Sequence, residues 1–366
     1  SWESPELTTT LLFLLIRRPP RSTLFPYRTL FRSPGPGMVY FSARPRVGQA
    51  SFVVWLSFRR PVPLLERAWS MRLRLPDGRM TPPSVGLPLP ERLPGDDVIR
   101  PFDAGRWFRA GGHVASGTAI GPVAATMTHV RLPVMFLVTV PADAAAGPAV
   151  ASVIGPGGGM EFSVDTEIVD RSFVREDLRL DRRLTIIRTA VEAEKTRQAL
   201  LYRELLATVN PDSVYLDSGF IMPLECDRRT SLFGTGRRYL YADGTADRTM
   251  HAGIDYGCPT GTPVVAAGRG RVVMAQDRIV TGKTVVLEHL PGMYSIYMHL
   301  ETMTVSYGEI VPRGYLLGTV GMTGLATGPH LHWELRINGV ASDPEALVGL
   351  DKLPTIRTIL TAFEGR

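Results

Sequence analysis

The 29-residue run Asp181 to Val209 contains neither glycine nor proline, and it divides this chain into two segments that differ from it in composition. The run is rich in Leu, Ala, Glu, Arg and Lys, most of which favour helix. Its apolar residues recur at three- and four-residue steps, which predicts one packed face and one solvated face. They are Leu184, Ile187, Ala190, Val191, Leu201, Leu205 and Val209. Because Pro211 follows, we expect a linking α-helix over 179–210 between two domains.

The segments on either side of this run consist of short β-branched or aromatic stretches separated by some of the 36 glycines and 30 prolines. Ser51–Phe58, Val134–Val140 and Phe162–Ile168 are typical of strands, whereas the segment from Leu75 to Gly112 predicts long loops. A chain of 366 residues has room for two hydrophobic cores. We therefore expect a mainly β protein, with a β-sandwich-like N-terminal domain over 34–178, a second β domain over 215–348 and a tail over 349–366.

Residues 1–33 require a separate explanation. Ile16–Ser33 resembles the translation of a short-read sequencing adapter and departs from it only at Arg28. We expect residues 1–33 to be an adapter-derived artefact or a disordered leader, so that any genuine signal sequence is missing. The longest apolar run there, Leu11–Ile16, is too short to span a membrane, and we expect no stable membrane span in this chain.

Charge and cysteine content narrow the function only slightly. The formal net charge is +6, and half of it comes from five Arg and two Glu in residues 1–33. The remaining basic bias is weak, and we expect no nucleic-acid partner. Cys226 and Cys258 are the only cysteines, and they lie outside any repeated metal-ligand spacing. They either form one disulfide, if the protein is exported, or are two buried thiols.

Five of the seven histidines lie between residues 251 and 332, and this clustering indicates a metal site. His251 and Asp255 form an HxxxD motif, in which Gly253 is expected to allow a tight bend. His330 and His332 form an HxH motif, and on a strand both side chains point to one face. Three nitrogen and carboxylate ligands suit Zn²⁺ and leave its fourth position free, as in catalytic sites.

The sequence context of the remaining histidines and their neighbours indicates their roles. His299 and His330 are candidates to carry the proton that hydrolysis must move. His289 ends an apolar run and is expected to be structural or to support the site, and His113 and His129 are isolated. Glu334 can orient an imidazole, but a solvated strand glutamate is the preferred interpretation. Tyr294 and Tyr297 are interpreted as strand aromatics. The glycines expected at positive φ in tight turns are Gly308, Gly314, Gly318, Gly321, Gly324 and Gly328.

Taken in order, these motifs resemble the M23 family of metallopeptidases, the lysostaphin and LytM-type peptidoglycan endopeptidases. The resemblance covers Arg248 to Pro344. It rests on His251-x-Gly-x-Asp255, Gly261-Thr-Pro-Val264, Tyr297-x-His-Leu300, Gly321-x-Thr-Gly324, Thr327-Gly-Pro-His-Leu-His-Trp-Glu334 and Asp343-Pro344. It implies an antiparallel β-sheet domain with a cleft, zinc held by His251, Asp255 and His332, and His299 and His330 as catalytic residues.

The resemblance also implies a zinc-dependent endopeptidase that hydrolyses peptide bonds of bacterial peptidoglycan in the cell envelope, periplasmic or extracellular. One alternative is a non-catalytic regulator of other cell-wall hydrolases, because some members of this family have lost ligands and act in that way. In this chain all five positions are retained. Another alternative is a wall-binding module with an incidental metal, for which no hydrolysis is expected.

Overall fold

The structure is a computed structural model, and it describes residues 10–15, 31–35, 38–41, 46–48, 52–58, 70–85, 87–88, 134–154 and 160–349. Predicted features at His113, at His129 and in the tail after residue 349 lie outside these residues. So does most of the 1–33 segment, and its origin stays a prediction.

In the described residues before position 182, twelve strands are present. They are β1 (Thr10–Leu15), β2 (Phe31–Gly35), β3 (Met38–Phe41), β4 (Arg46–Gly48), β5 (Phe52–Phe58), β6 (Ser70–Arg74), β7 (Ser84–Val85), β8 (Leu87–Pro88), β9 (Val134–Thr139), β10 (Gly147–Ile154), β11 (Met160–Val169) and β12 (Arg175–Arg179). The three strands predicted from the sequence appear as β5, β9 and β11. These elements form a sheet of order β1-β5-β9-β8, a second of order β4-β11-β10-β6-β7 and the hairpin β2-β3.

The remaining elements begin with two helices, α1 (Arg182–Thr189) and α2 (Ala193–Ala207). The strands that follow are β13 (Arg229–Ser231), β14 (Gly236–Leu240), β15 (Ala246–Met250), β16 (Gly253–Tyr256), β17 (Pro263–Val265), β18 (Gly270–Arg278), β19 (Gly282–Leu290), β20 (Met293–Met303), β21 (Ile310–Val311), β22 (Leu316–Val320), β23 (Leu331–Ile337) and β24 (Val340–Ser342), before a 3-10 helix at Pro344–Leu347. The prediction of a mainly β chain is confirmed.

A ten-stranded sheet dominates the C-terminal half. Its main order is β13-β16-β23-β20-β19-β18-β21, its strand pairs are antiparallel, and β17, β22 and β24 pair at its sides. The strands β19, β20 and β23 are buried along most of their length, and Trp333, Tyr256 and Tyr297 are fully enclosed in the main core. Strands β16, β23 and β20 each lie between two other strands, so hydrogen bonds on both sides hold the residues on them in place.

The glycine-free run folds as two helices instead of the single helix that was predicted. The chain leaves helical geometry at Ala190, whose ψ is 132°, and Val191 is 96% exposed although its spacing predicted packing. Four β-branched residues in α1 lower its helix propensity. Lys195 then donates its ammonium to the carbonyls of Ile187 and Arg188, at 3.2 and 3.0 Å, which satisfies the end of α1.

Each helix packs on a different surface. Leu184 of α1 contacts a small cluster with Tyr239 of β14. Leu206 of α2 packs with Tyr294 and Ile296 on one face of the ten-stranded sheet. Helix α2 is therefore held against the ten-stranded sheet, and α1 is held against β14, which belongs to a separate sheet.

A third sheet crosses the position at which the domain boundary was expected. Strand β12 pairs in parallel with β14, and β14 pairs antiparallel with β15. Glu176 lies opposite Arg237, and Asp177 lies opposite Arg238. Residues before the linking helices thus contribute to the structure beside the histidine cluster, while the division into domains stays a prediction.

Cys226 and Cys258 form a disulfide, which decides between the two alternatives left open by the sequence. The bond closes a loop between positions separated by 32 residues and restricts the unfolded chain. Among the described residues, neither helix is long and apolar enough to cross a membrane.

Candidate metal centre

Three neighbouring strands bring the predicted site residues together. Asp255 on β16 lies directly opposite His332 on β23, and His332 lies opposite Met298 on β20. His251 stands just before β16, and His299 follows Met298. Residues separated by up to 81 positions in the sequence therefore meet at one place because the sheet pairs these strands.

The donor atoms of His251, Asp255 and His332 converge closely. His251 Nε2 lies 2.9 Å from His332 Nδ1 and 3.1 Å from Asp255 Oδ1, and His332 Nδ1 lies 2.7 Å from the same oxygen. All three residues are buried, and their donor atoms fall within 4.8 Å of one another. This geometry matches a group that can hold one metal ion.

The ring nitrogens of His251 and His332 that face away from Asp255 show why a cation fits between the three residues. His251 Nδ1 donates to the carbonyl of Leu232 at 2.9 Å, and His332 Nε2 donates to Glu334 Oε1 at 2.8 Å. Each imidazole therefore turns its other nitrogen inward, toward Asp255. Two such nitrogens and a carboxylate oxygen repel one another unless a proton or a metal ion lies between them, so the residues present fit a bound cation.

Gly253 allows this approach by its lack of a side chain. A Cβ there would lie 2.4 Å from the carbonyl oxygen of Trp333 and 2.9 Å from His332 Nε2. Its φ is not positive, so the tight bend expected at this position is not the reason for glycine. The glycine is required because β16 and β23 approach each other closely beside the donor atoms.

Glu334 is buried at 4% exposure, and the prediction of a solvated glutamate was wrong. Its second oxygen accepts from Arg336 Nε at 2.8 Å. Burial alone would raise the pKa of Glu334, but Arg336 and His332 outweigh burial and lower it. Burial alone would lower the pKa of His332, but hydrogen bonds to Asp255 and Glu334 raise it to about 9. In the metal-free protein a proton therefore occupies the position between His332 and Asp255.

Sequence reasoning missed the partners on the other side of the centre. Burial would raise the pKa of Asp255, but hydrogen bonds from His251 and His332 hold it well below its ordinary value. Arg237 Nη2 also binds Asp255 Oδ2, and Ser231 Oγ lies 3.2 Å from His251 Nδ1. Arg237 and Ser231 precede the HxxxD motif in the sequence, and no motif spacing predicts their contacts with it.

His299 and His330 lie beside the three donors and face each other. Their ring centroids are 4.7 Å apart, and His330 Nε2 is 3.8 Å from Asp255 Oδ1. His299 Nδ1 donates to the carbonyl of Thr323, and His330 Nδ1 donates to that of Gly328, each at 2.8 Å. Both rings therefore present Nε2 as a proton acceptor.

His299 has a φ of 61°, one of two positive values for non-glycine residues in the described part of the chain. Such a conformation is strained, and the surrounding structure must hold it. The amide of His299 donates to the carbonyl of Thr281 at 3.0 Å. Burial lowers the pKa of His299 to about 3, and burial also lowers the pKa of His330. Both rings are therefore neutral near pH 7.

Residues interpreted as structural are buried away from the donors. His289 is fully buried, with Nδ1 2.8 Å from the carbonyl of Arg269 and Nε2 2.7 Å from Ser295 Oγ. Tyr294 and Tyr297 are buried strand aromatics, as predicted.

The glycines divide into different structural roles. Gly308, Gly314 and Gly324 have positive φ, as predicted, whereas Gly318, Gly321 and Gly328 do not. At Gly318 and Gly321 a Cβ would collide with the backbone of β20, at Thr302 and Glu301. Gly318 and Gly321 are therefore required by the close approach of neighbouring strands and not by the predicted turn conformation.

The comparisons with known proteins concern the same part of the chain. Residues 249–344 match Peptidase family M23. The peptidoglycan DD-endopeptidase ShyC of Vibrio cholerae is 37% identical over 125 residues, covering 34% of this chain and 28% of that protein. The DD-carboxypeptidase/endopeptidase Mpg of Neisseria meningitidis is 40% identical over 106 residues, covering 29% and 24%. This chain therefore spans about a quarter of the length of these relatives. A peptidase M23 crystal structure from Pseudomonas aeruginosa is 22% identical and covers 82% of this chain and 94% of that one, with a TM-score of 0.47.

Proposed function

We propose that the protein is a zinc-dependent endopeptidase that hydrolyses peptide bonds of bacterial peptidoglycan, because residues 249–344 match Peptidase family M23. The convergence of His251, Asp255 and His332 on one point carries this proposal. The names of the curated relatives, a DD-endopeptidase and a DD-carboxypeptidase/endopeptidase, support the substrate class.

His251 Nε2, Asp255 Oδ1 and His332 Nδ1 are the proposed ligands. Two imidazole nitrogens and one carboxylate form a donor set suited to Zn²⁺, and three ligands characterise catalytic sites. When bound, Zn²⁺ polarises a scissile carbonyl and lowers the pKa of water. Glu334 and Leu232 fix the orientation of the two imidazoles through the nitrogens that face away from the centre.

His299 and His330 are the proposed catalytic residues. Both rings are neutral, and both hold Nε2 free because Nδ1 donates to a backbone carbonyl. Either can accept a proton from water as its oxygen bonds to the peptide carbon. The protonated ring can then give that proton to the leaving nitrogen as the C–N bond breaks, which returns the histidine to its starting state.

We place this activity in the cell envelope, periplasmic or extracellular. Peptidoglycan lies there, and the Cys226–Cys258 disulfide is a bond that persists in oxidising compartments.

The full chain, produced with its disulfide formed, tests the proposal directly. We expect one zinc per chain by elemental mass spectrometry. We also expect purified peptidoglycan to release new amino termini, identified on muropeptides by mass spectrometry. A chelator should abolish the release and added Zn²⁺ should restore it.

His330→Ala is the matched variant, since it should retain zinc while hydrolysis falls by about 10² to 10⁴. Zinc-loaded protein that releases nothing from peptidoglycan would refute the enzyme. If that inert protein stimulated a separate cell-wall hydrolase, the protein would be a non-catalytic regulator. A protein that neither hydrolyses peptidoglycan nor stimulates a hydrolase would support the alternative of a wall-binding module.

A further inference from the structure

One carboxylate outside the family-matched segment touches the outer partners of two of the proposed ligands. Glu176 Oε1 accepts from Arg237 Nε at 2.6 Å and from Ser231 Oγ at 2.8 Å. Arg237 also binds Asp255 Oδ2, and Ser231 Oγ lies 3.2 Å from His251 Nδ1. Glu176 is therefore two contacts away from both Asp255 and His251.

The pairing of β12 with β14 creates this arrangement. Glu176 lies opposite Arg237 in the parallel register, and the next pair along is Asp177 with Arg238. Because side chains alternate along a strand, the two pairs face opposite sides. The side chains of Arg237 and Glu176 are 12% and 24% exposed, while those of Arg238 and Asp177 are 44% and 49% exposed. Only the first pair faces the metal centre.

The charge of Glu176 determines how Arg237 acts on Asp255. A guanidinium is permanently charged, and it can bind one carboxylate through two nitrogens. Here Arg237 binds two carboxylates, with Nε on Glu176 and Nη2 on Asp255 Oδ2. Asp255 Oδ1 therefore still faces the two imidazoles. Without the negative charge at Glu176, the positive charge of Arg237 would oppose a divalent cation nearby. The guanidinium would also be free to turn both nitrogens toward Asp255.

We propose that Glu176 is a positioning residue of the metal centre, which balances Arg237 and so keeps Asp255 Oδ1 available to the metal ion. The inference rests on the proposed function, because it assumes that Asp255 is a metal ligand. Glu176 lies on β12, which precedes both helices, and it would support a metal centre whose ligands lie more than seventy residues later in the sequence.

The test measures zinc affinity by chelator competition in the full chain at fixed pH. Glu176→Gln keeps the length of the side chain and an oxygen that can accept from Arg237 and Ser231, so only the charge is lost. We expect zinc binding to weaken about tenfold. Asp177→Asn is the matched control on the same strand, and we expect its affinity to stay within about twofold of wild type because its ion pair is exposed.

A second variant separates positioning from a merely structural role. In Glu176→Gln/Arg237→Gln the unbalanced positive charge is gone, so zinc affinity should recover toward wild type, whereas damage to the fold would add to the loss. Thermal unfolding of each metal-free protein accompanies the measurement. The inference is overturned if Glu176→Gln binds zinc as tightly as Asp177→Asn, or if the double variant binds more weakly than Glu176→Gln. A wild-type protein that binds no zinc would instead overturn the proposed function.

Discussion

The histidines at the centre form two groups, the proposed ligands His251 and His332 and the pair His299 and His330, and His332 is held differently from the second pair. His332 is oriented by a carboxylate on its own strand, and charged side chains on β14 and β23 surround the three donors. His299 and His330 are oriented by the backbone carbonyls of Thr323 and Gly328, which lie outside the regular strands.

The difference affects proton affinity. Carboxylates raise the pKa of His332 to about 9 despite burial, whereas burial lowers the pKa of His299 to about 3. A cation is therefore favoured beside His332, and neutral rings are favoured at His299 and His330. Similar burial produces opposite chemistry because the partners differ.

The largest expected effect comes from removing one histidine of each group. His332→Ala should lose both zinc and peptidoglycan hydrolysis, because two ligands remain. His299→Ala should retain zinc while hydrolysis falls by about 10² to 10⁴. Metal content and release of amino termini are measured on the same preparations. Equal loss of zinc in both variants would contradict the separation of the two groups.

The second prediction concerns the carboxylate that orients His332. Glu334→Gln should weaken zinc binding by about tenfold to a hundredfold, because the charge that supports the basicity of His332 is lost. Chelator competition measures the affinity. Glu288→Gln is the control, since Glu288 is buried on the same sheet and its hydrogen bond to Tyr294 lies away from the donors. Equal zinc affinity in the two variants would show that the charge of Glu334 does not support zinc binding by His332.

The third prediction uses His289 as a reference for a buried imidazole outside the centre. Burial lowers its pKa from 6.5 to about 4, so the unfolded state binds the proton more readily. Its contribution to stability is complete above pH 6.5 and is lost as the pH falls toward 4. Between pH 7 and pH 5 this loss is about 2 kcal/mol in the free energy of unfolding.

Denaturant unfolding of metal-free wild type and His289→Gln at these two pH values measures that contribution. The variant should lose about 2 kcal/mol less stability over the interval than wild type, whatever its stability at pH 7. Parallel pH dependences of the two proteins would show that His289 does not carry the effect.

The smallest expected effect comes from disturbing the loop that orients His299. Gly324 has a φ of 73°, and a Cβ there would lie 2.4 Å from the backbone nitrogen of Gly282. Gly324→Ala should move the neighbouring Thr323 carbonyl and lower hydrolysis about tenfold, with zinc content unchanged. Gly308→Ala is the control, because its φ is also positive but no atom lies within 4 Å of the added carbon. Equal activity in the two variants would show that the loop does not position His299.

Many of the strands could be predicted because the sequence pattern typical of a strand spans only a few neighbouring residues. The runs around Phe52–Phe58, Val134–Thr139 and Met160–Val169 form strands as expected. The break at Ala190 could not be predicted, since helical periodicity continues across it. Packing of α1 on β14 and of α2 on the large sheet determines the two helix directions.

The sequence by itself determined which side chains are available as donors, because the HxxxD and HxH spacings place His251 with Asp255 and His330 with His332 over a few residues. Only the tertiary structure decided that Glu334 is buried and that Arg237 and Glu176 adjoin the centre. Glu176 and Arg237 are 61 positions apart and meet through the pairing of β12 with β14. Local spacing determines which face of a strand a residue occupies, but contacts between strands depend on which strands pair and in which register.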